Sequence, residues 1–419
     1  MEGRVARAFT PMNLVRQTAD GTELHILEDG GVELGYVAVD STVNGRGCGG
    51  LRMLPDIDAE EICGLARAMT LKYGFLGLPQ GGAKAGVRGD PEAPEPDRRA
   101  LLERFAAGMS RLLRDELYIP YPDMGTCAAD ILAMLASLGI HPGRRAIRDH
   151  DSGHYTALSV AASAEAALRW LKMDAAKRTA AIEGFGNVGR SLAVLLAHAG
   201  HTVVAVSTRL GALYNPRGLD IQRLLRLSET MGSALVEGYA EADRIPVTQL
   251  PELQVDLLCP CARHHSLHAG NAARLQCRII APGANNPLTA EAEKILTDRG
   301  ILCVPDFVSN SGGVLGGTME FAGVPYGKLA ALIRAGLGGA TEALLEQSRR
   351  ERASLRSVAE RIARARFQKV KRRSEMPGLM GRALQGGLAL YRRGLVPSPV
   401  MGMLSPFYFE RLPIFIKRA

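Results

Sequence analysis

The chain of 419 residues carries few of the marks by which a sequence declares a compartment or a macromolecular partner. Its seven cysteines, at positions 48, 63, 127, 259, 261, 277 and 303, are odd in number and scattered. They form no CxxC pair and no Cys/His ligand spacing, so neither a disulfide framework nor a metal site is expected, and reduced thiols in the cytoplasm are the simplest account. No stretch of about 18 apolar residues is present, which excludes a regular spanning helix. No opening segment combines a basic start, an apolar centre and a small-residue cleavage site, so export is not expected. A zinc finger, an RRM signature and a basic zipper are likewise missing, although the net charge is +8. That charge is local: from Glu346 onward there are 17 Lys+Arg against 5 Asp+Glu, leaving 34 against 38 in the rest. The body is mildly acidic, and nucleic acid is not an expected partner.

What remains is an ordinary globular composition, 47% apolar and 22% charged, long enough for two or three domains with large cores. Residues 23 to 55 read as short β segments joined by Gly- and Asp-containing turns. Asp58 and Glu61 have the spacing of a capping box, and Ile62, Leu65 and Met69 continue at helical spacing, which places Met69 and Lys72 on one helix face. A Gly/Pro loop from Gly77 to Gly82 ends that helix. Residues 98 to 114 predict a second helix, and 116 to 120 a short strand leading to Asp123. After a helix over 157 to 173 comes RTAAIEGFGNVGRSLAVLLAHAGHTVVAVS, an apolar strand, a glycine turn, a helix and a second apolar strand. Strands at 255–258, 278–281 and 301–305 alternate with helical stretches, which predicts a parallel, doubly wound sheet. The expected α/β organisation is an N-terminal α/β domain over 1–150, a Rossmann-type dinucleotide-binding domain over 151–325, and a helical, basic C-terminal region over 326–419 that packs back on the first domain.

Two elements of this sequence carry chemistry. Lys72 ends an apolar helix pattern, and Lys84 lies within a glycine-rich loop (Gly81, Gly82, Gly86) with almost no other polar side chain. Such lysines can hold a carboxylate or, with a lowered pKa, act as a base; the plainer alternative is a helix-end lysine and a solvated loop lysine. The second element is GFGNVG, with Gly184, Gly186, Asn187, Val188 and Gly189 between an apolar strand and an apolar helix. There the glycines give a tight turn, close approach to a pyrophosphate and close helix–strand packing. At the end of the following strand stand Ser207, Thr208 and Arg209 rather than the acidic residue that binds both ribose hydroxyls in NAD sites. A carboxylate repels a 2′-phosphate while Thr and Arg can donate to its oxygens, which favours NADP, with NAD as the alternative.

In order along the chain, GCGGLRM, MTLK…GGAKAG, YIPYPDMGTCAAD, GFGNVG, ALYNPRGLD, APGANNPLT and VPDFVSNSGGV resemble successive segments of the glutamate/leucine/phenylalanine/valine dehydrogenase family. The resemblance runs from about Asp40 to Glu320. It implies interconversion of an L-amino acid with its 2-oxo acid and ammonia, by a homo-oligomer using NADP or NAD. It implies that Lys72 binds the substrate α-carboxylate, that Lys84 activates water and stabilises the carbinolamine, and that Asp123 moves protons to and from the amino group. Thr156 and Asn285 would hold the nicotinamide side of the cofactor, and Asn310 would contact the substrate. Gly50, Cys48, Met69 and Gly317 would line the substrate pocket.

The chain departs from the glutamate-specific pattern in that pocket. The lysine that precedes the GG pair in glutamate enzymes is Cys48 here, the expected serine beyond Val314 is Gly317, and Met69 stands one turn before Lys72. These changes point to an apolar substrate side chain; the alternatives are a glutamate enzyme with a rearranged pocket and a non-catalytic nucleotide-binding paralogue. Ser159 stands near Thr156 where glycine is usual, and likeness fades after Glu320. Residues 349 to 373 hold eleven Lys+Arg and two acids with Leu355, Val358, Ile362 and Phe367 interleaved, which reads as a solvated helix with one packed stripe. The final segment, GLVPSPVMGMLSPFYFERLPIFI, is apolar but broken by prolines. A contact with a neighbouring subunit is the preferred reading, ahead of association with a membrane surface.

Overall fold

The structure is a computed structural model and describes residues 13–19, 21–143, 147–173, 178–392 and 394–415. Ile416, at the end of the apolar terminal segment, lies outside the described residues. The chain forms two compact units. One comprises the chain up to Thr70, Pro79–Asp149 and Lys371–Leu395; the other comprises Leu71–Leu78, His150–Val370 and the chain from Val396. The chain passes between the units after Thr70, Leu78, Asp149, Val370 and Leu395, so residues beyond 326 belong to both.

The first unit is built on a mixed sheet of β1 (Asn13–Ala19), β2 (Thr22–Asp29), β3 (Val32–Val39), β4 (Gly47–Leu54), β5 (Gly81–Arg88) and β6 (Tyr118–Pro122), in the order β1-β2-β3-β5-β4-β6. β4 runs parallel to both β5 and β6, and the remaining pairs are antiparallel. One face of the sheet carries Leu51, Met53, Ala83, Ala85 and Val87. It is covered by α2 (Glu95–Gly108), α3 (Ser110–Arg114) and α4 (Ala128–Ser137) through Leu102, Phe105, Leu112, Ile131 and Met134. The run expected as one helix over 98–114 is therefore two, separated at Met109. The other face is covered by α1 (Ala59–Leu76), whose Ile62, Leu65 and Ala66 pack on Tyr36 and Ala38. Asp58 caps α1 by accepting from the Glu61 N–H at 2.8 Å.

Successive residues of a strand alternate between faces, so Cys48, Gly50 and Arg52 of β4 and Gly82, Lys84 and Gly86 of β5 all point to the α1 side. This corrects the reading of Lys84 as a loop residue. The glycines are a strand thinned on one face: a Cβ at Gly82 would stand 2.3 Å from the Thr70 nitrogen of α1, and one at Gly86 2.6 Å from Ile57. Glycine content marks close approach of a helix here, not a turn.

The second unit contains α5 (Ser152–Trp170) and a seven-stranded sheet in the order β10-β9-β8-β7-β11-β12-β13. The strands are β7 (Thr179–Glu183), β8 (Thr202–Thr208), β9 (Gly211–Tyr214), β10 (Asp243–Ile245), β11 (Gln254–Pro260), β12 (Gln276–Ile280) and β13 (Leu302–Cys303). β8, β7, β11, β12 and β13 are parallel, as the alternating pattern predicts. β9 and β10 are an antiparallel edge missing from that expectation, because the tight turn at Arg209 and Leu210 folds the chain straight back. The helices of this part are α6 (Asn187–His198), α7 (Ile221–Met231), α8 (Leu235–Gly238), α9 (Ala269–Ala272), α10 (Ala290–Asp298), α11 (Asp306–Ser309) and α12 (Gly312–Phe321). They are followed by α13 (Tyr326–Glu351), α14 (Leu355–Glu375), α15 (Leu379–Arg392) and α16 (Ser398–Phe409). Among the described residues no helix is long and apolar enough to cross a membrane.

The basic helix α14 buries Val358, Ala359, Ala363 and Phe367. Its Ala363 and Phe367 lie against Gly74, where a Cβ would meet the Ala363 carbonyl at 2.3 Å. This part of α14 thus packs on the last turns of α1, residues that group with the second unit rather than the first. Arg356 donates to Glu293 and, at 3.0 Å, to the fully buried Asp306, with its guanidinium over the Phe307 ring. Asp306 in turn accepts at 3.0 Å from the backbone N–H of Asn286, whose φ of 47° is unusual for a residue other than glycine. A charge of the basic tail therefore pins the loop that carries Asn285.

Burial raises the pKa of Glu293 and Arg356 opposes that rise. Arg356→Ala leaves two carboxylates buried without their cation, and is expected to lower the unfolding free energy at neutral pH by about 3 kcal/mol. A carboxyl whose folded pKa is raised binds its proton more readily in the folded state, so the loss should shrink in acid and grow as pH rises through its range. Urea unfolding of both proteins at several pH values measures this; a loss below about 1 kcal/mol at every pH would refute the role.

Candidate active site

In the first unit the face of the sheet under α1 holds four charges of alternating sign. The Lys84 ammonium donates to the carboxylate of Asp123, which also accepts from Arg52 Nε at 3.3 Å; Arg52 extends on to Glu61 of α1. Lys84, Arg52 and Glu61 are buried, whereas the Asp123 side chain retains 22% exposure and is the wet end of the cluster. Gly50 makes room for it, because a Cβ there would stand 2.6 Å from Asp123 Cβ and 3.0 Å from Lys84 Nζ. The turn after β6 fixes Asp123: Thr126 Oγ1 accepts from its backbone N–H at 3.1 Å and donates to the Leu51 carbonyl at 2.7 Å.

Electrostatics divides the pair into two roles. Burial lowers the Lys84 pKa below the usual lysine range, with Arg52 adding to the effect and Asp123 and Glu61 opposing it. Burial pushes the Asp123 carboxyl up, but the charges of Lys84 and Arg52 outweigh it and hold the pKa well below the usual carboxylate range. The result is a lysine able to lose its proton more easily than one in water, beside a carboxylate that stays ionised.

Within the second unit lies a separate polar constellation. Buried Lys72, near the end of α1, donates to Asn285 Oδ1 at 2.6 Å, and the same oxygen accepts from Asn310 Nδ2 at 3.0 Å. Asn310 Nδ2 also donates to the Ala284 carbonyl at 2.8 Å, which sets the orientation of the amide and leaves its buried Oδ1 with no hydrogen-bond partner. That oxygen is an acceptor in wait for an N–H. Thr156 of α5 lies beside α12: a Cβ at Gly313 would come 2.6 Å from its Oγ1. Ser159, the residue in place of a glycine, is buried and useful, donating to the Thr156 carbonyl at 2.8 Å and accepting from the Gly312 N–H at 3.0 Å.

The glycine turn has the form its sequence predicts. Gly184 has φ +97°, its N–H donates to Ser207 Oγ at 2.9 Å, and a Cβ at Gly189 would lie 1.9 Å from the Gly184 carbonyl. A Cβ at Gly186 would meet nothing within 4 Å, so this glycine opens space over the N-terminus of α6 rather than relieving a contact. An open glycine backbone before the first N–H groups of a helix fits a pyrophosphate. Asn187 directs its Oδ1 to Arg190 at 2.7 Å, and Val188 packs against Gly283. Just before the turn, burial raises the Glu183 carboxyl to about 7 while Ser266 Oγ donates to it at 2.8 Å.

Thr208 Oγ1 donates to the Ser233 carbonyl at 2.8 Å and accepts from the Leu210 N–H, so its hydroxyl shapes the turn, while Arg209 beside it is exposed. Cys48 is buried on the Lys84 face; burial raises its thiol to about 12, against the charges of Arg392 and Arg46, so it is uncharged. Met69 is half-buried on α1. The room opened at Gly317 is met by an imidazole, with His150 Cδ2 at 3.9 Å from a Cβ position there. His150 Nδ1 lies 3.2 Å from Glu320, to which Tyr155 also donates at 2.8 Å. Arg52 and Glu61 were within reach of the sequence, since alternation along β4 puts residue 52 on the face of residue 50. His150 and Arg392 gave no local signal.

Residues 149–376 match the family described as glutamate/leucine/phenylalanine/valine dehydrogenase, and residues 22–138 match its dimerisation domain. The glutamate dehydrogenase of Thermotoga maritima is 37% identical over 304 residues, 69% of this chain and 72% of that protein. That of Aeropyrum pernix is 32% identical over 313 residues, 70% and 73% of the two chains. Among solved structures, the hetero-hexameric glutamate dehydrogenase of Thermus thermophilus in its Leu bound form superposes with TM-score 0.70 at 24% identity, covering 88% of this chain and 90% of that one. The L-tryptophan dehydrogenase of Nostoc punctiforme gives 0.57 at 24% identity, covering 84% and 97%. With the paired lysines, the aspartate and the glycine turn each in its folded place, the chain belongs to the glutamate/leucine/phenylalanine/valine dehydrogenase family and is an amino-acid dehydrogenase with that family's two-domain fold.

Proposed function

We propose that this protein oxidatively deaminates an L-amino acid to its 2-oxo acid and ammonia, or runs the reverse reductive amination, with NADP or NAD. The observation that carries the reading is the ion pair of buried Lys84 with the partly exposed Asp123, on a face kept clear by Gly50. Bound at Gly184–Gly189, with Thr156 and Asn285 on its nicotinamide side, the cofactor supplies the hydride acceptor for the substrate Cα. Lys72 neutralises the substrate α-carboxylate, and Asn310 Oδ1 accepts from the amino group. Lys84, deprotonated, takes a proton from the water that attacks the imino carbon, and its ammonium then stabilises the carbinolamine hydroxyl. Asp123 relays the proton that the departing ammonia needs. Arg52 and Glu61 hold these two groups in register without touching the substrate.

For the substrate side chain, neutral Cys48, half-buried Met69 and the missing Cβ of Gly317 favour an aliphatic or aromatic group. A second reading, glutamate held in a rearranged pocket, is favoured by the Arg392 charge acting on Cys48 and Tyr121 and by His150 beside Gly317. Initial rates with ammonium, NADPH and a panel of 2-oxo acids decide between them. An apolar pocket should give branched or aromatic oxo acids a kcat/KM at least 10-fold above 2-oxoglutarate, on the order of the discrimination one or two methylenes allow. Preference for 2-oxoglutarate, lost in Arg392→Ala, would overturn the apolar reading, and no turnover with any oxo acid would overturn the enzyme reading altogether.

For the cofactor we favour NADP, because Arg209 is exposed at the end of β8 and the sequence there reads Ser207, Thr208 and Arg209 in place of an acidic residue. Arg209→Ala should raise the KM for NADP by about 10-fold and leave that for NAD within about 2-fold, the loss of one charge-assisted contact to phosphate. Equal effects on both cofactors would remove the NADP preference.

A further inference from the structure

Helix α16 lies beyond the family match, which ends at residue 376, and it has two unlike faces. The inner one holds Gly402, Ser405, Pro406 and Phe409. A Cβ at Gly402 would stand 2.5 Å from the Gly323 carbonyl, Ser405 Oγ donates to the Ala322 carbonyl at 3.1 Å, and Phe409 is buried. The outer one holds Val400, Met403, Leu404, Phe407 and Tyr408, at the i, i+3, i+4, i+7, i+8 spacing of a packed stripe. Their exposures are 46%, 74%, 63%, 65% and 39%, so this stripe faces water along its whole length.

Its surroundings narrow what could cover it. From Gly394 to Phe409 the sequence has no charged residue. Helices that lie on anionic lipid carry Lys or Arg along their polar face, and α16 has no such residue on either face. Glu410 at its end is paired with Lys328 at 2.9 Å. An acidic or a basic partner would find no complementary charge. An uncharged apolar stripe is, however, complementary to itself about a two-fold axis, where the same residues appear on both sides. The five side chains present on the order of 500 Å² of apolar area, near the upper end of what monomers leave in water. Pairing two copies would bury about 1,000 Å², the threshold of a specific interface.

We propose that α16 docks on α16 of a second copy of this chain, through Val400, Met403, Leu404, Phe407 and Tyr408. This contact would be separate from any made by the matched dimerisation domain, which covers residues 22–138. The test compares the wild-type protein with the double variant Leu404→Glu/Phe407→Glu by sedimentation velocity over a range of concentrations. The expected result is a variant particle of half the wild-type mass or less, with far-UV circular dichroism and NADPH binding unchanged. Met403→Cys supplies a second measure that leaves the fold alone: mild oxidation should link two chains across the axis. Equal masses for wild type and double variant, or no cross-link in Met403→Cys, would overturn the proposal. Sedimentation of wild type but not variant with phosphatidylcholine/phosphatidylglycerol vesicles, at equal particle mass, would overturn it in favour of a lipid surface.

Discussion

An ammonium group does not stay buried unless its charge is answered, and the arrangement of the first unit follows from how Lys84 is answered. Asp123 comes from the turn after β6, Arg52 from β4 and Glu61 from α1, so three elements must be in register for one lysine to be tolerated. Alternating signs keep the cluster neutral. Burial still pulls the lysine toward losing its proton, and that is the property a base requires. The glycines serve the same end: Gly82 and Gly86 let α1 approach the sheet, and Gly50 leaves the space in which ammonium and carboxylate meet. Structure and chemistry here share one constraint, since a side chain added at Gly50 would occupy the place of the ion pair.

The second unit is organised around amides rather than charges. Asn285 and Asn310 fix one another, and the loop that bears Asn285 is held from behind by Asp306 and the tail residue Arg356. A helix of the basic C-terminal stretch therefore supports the loop that carries Asn285. The same holds for Arg392 of α15, whose charge reaches Cys48 and Tyr121.

Much of this was legible in the sequence, and the failures have identifiable physical causes. GFGNVG could be read because strand, turn and helix are consecutive, and each glycine has a local reason. Gly81, Gly82 and Gly86 lower strand propensity and give the segment around Lys84 the signature of a loop, because propensity cannot see a helix lying across the strand. Once the segment is known to be a strand, alternation alone puts residues 82, 84 and 86 on one face. The antiparallel return of β9 after Thr208 escaped notice because a four-residue strand has too little pattern to register. Thr208 read as a phosphate ligand, since the sequence does not disclose that its hydroxyl is taken by Ser233. His150 and Glu320 are 170 residues apart and meet only through α5 and α12, so no window of sequence contains their contact. Tail residues such as Arg356 looked solvated for the same reason, their partners Glu293 and Asp306 lying 63 and 50 residues away.

The account stands or falls on Lys84 being the base rather than a structural cation. The most direct measurement is turnover by Lys84→Ala, with NADPH binding followed by fluorescence in the same preparation. Loss of a positioned base predicts a fall in kcat of at least about 10³-fold with the cofactor Kd unchanged. Turnover within about 10-fold of wild type, at intact cofactor binding, would contradict the assignment and leave the buried pair as a matter of folding alone.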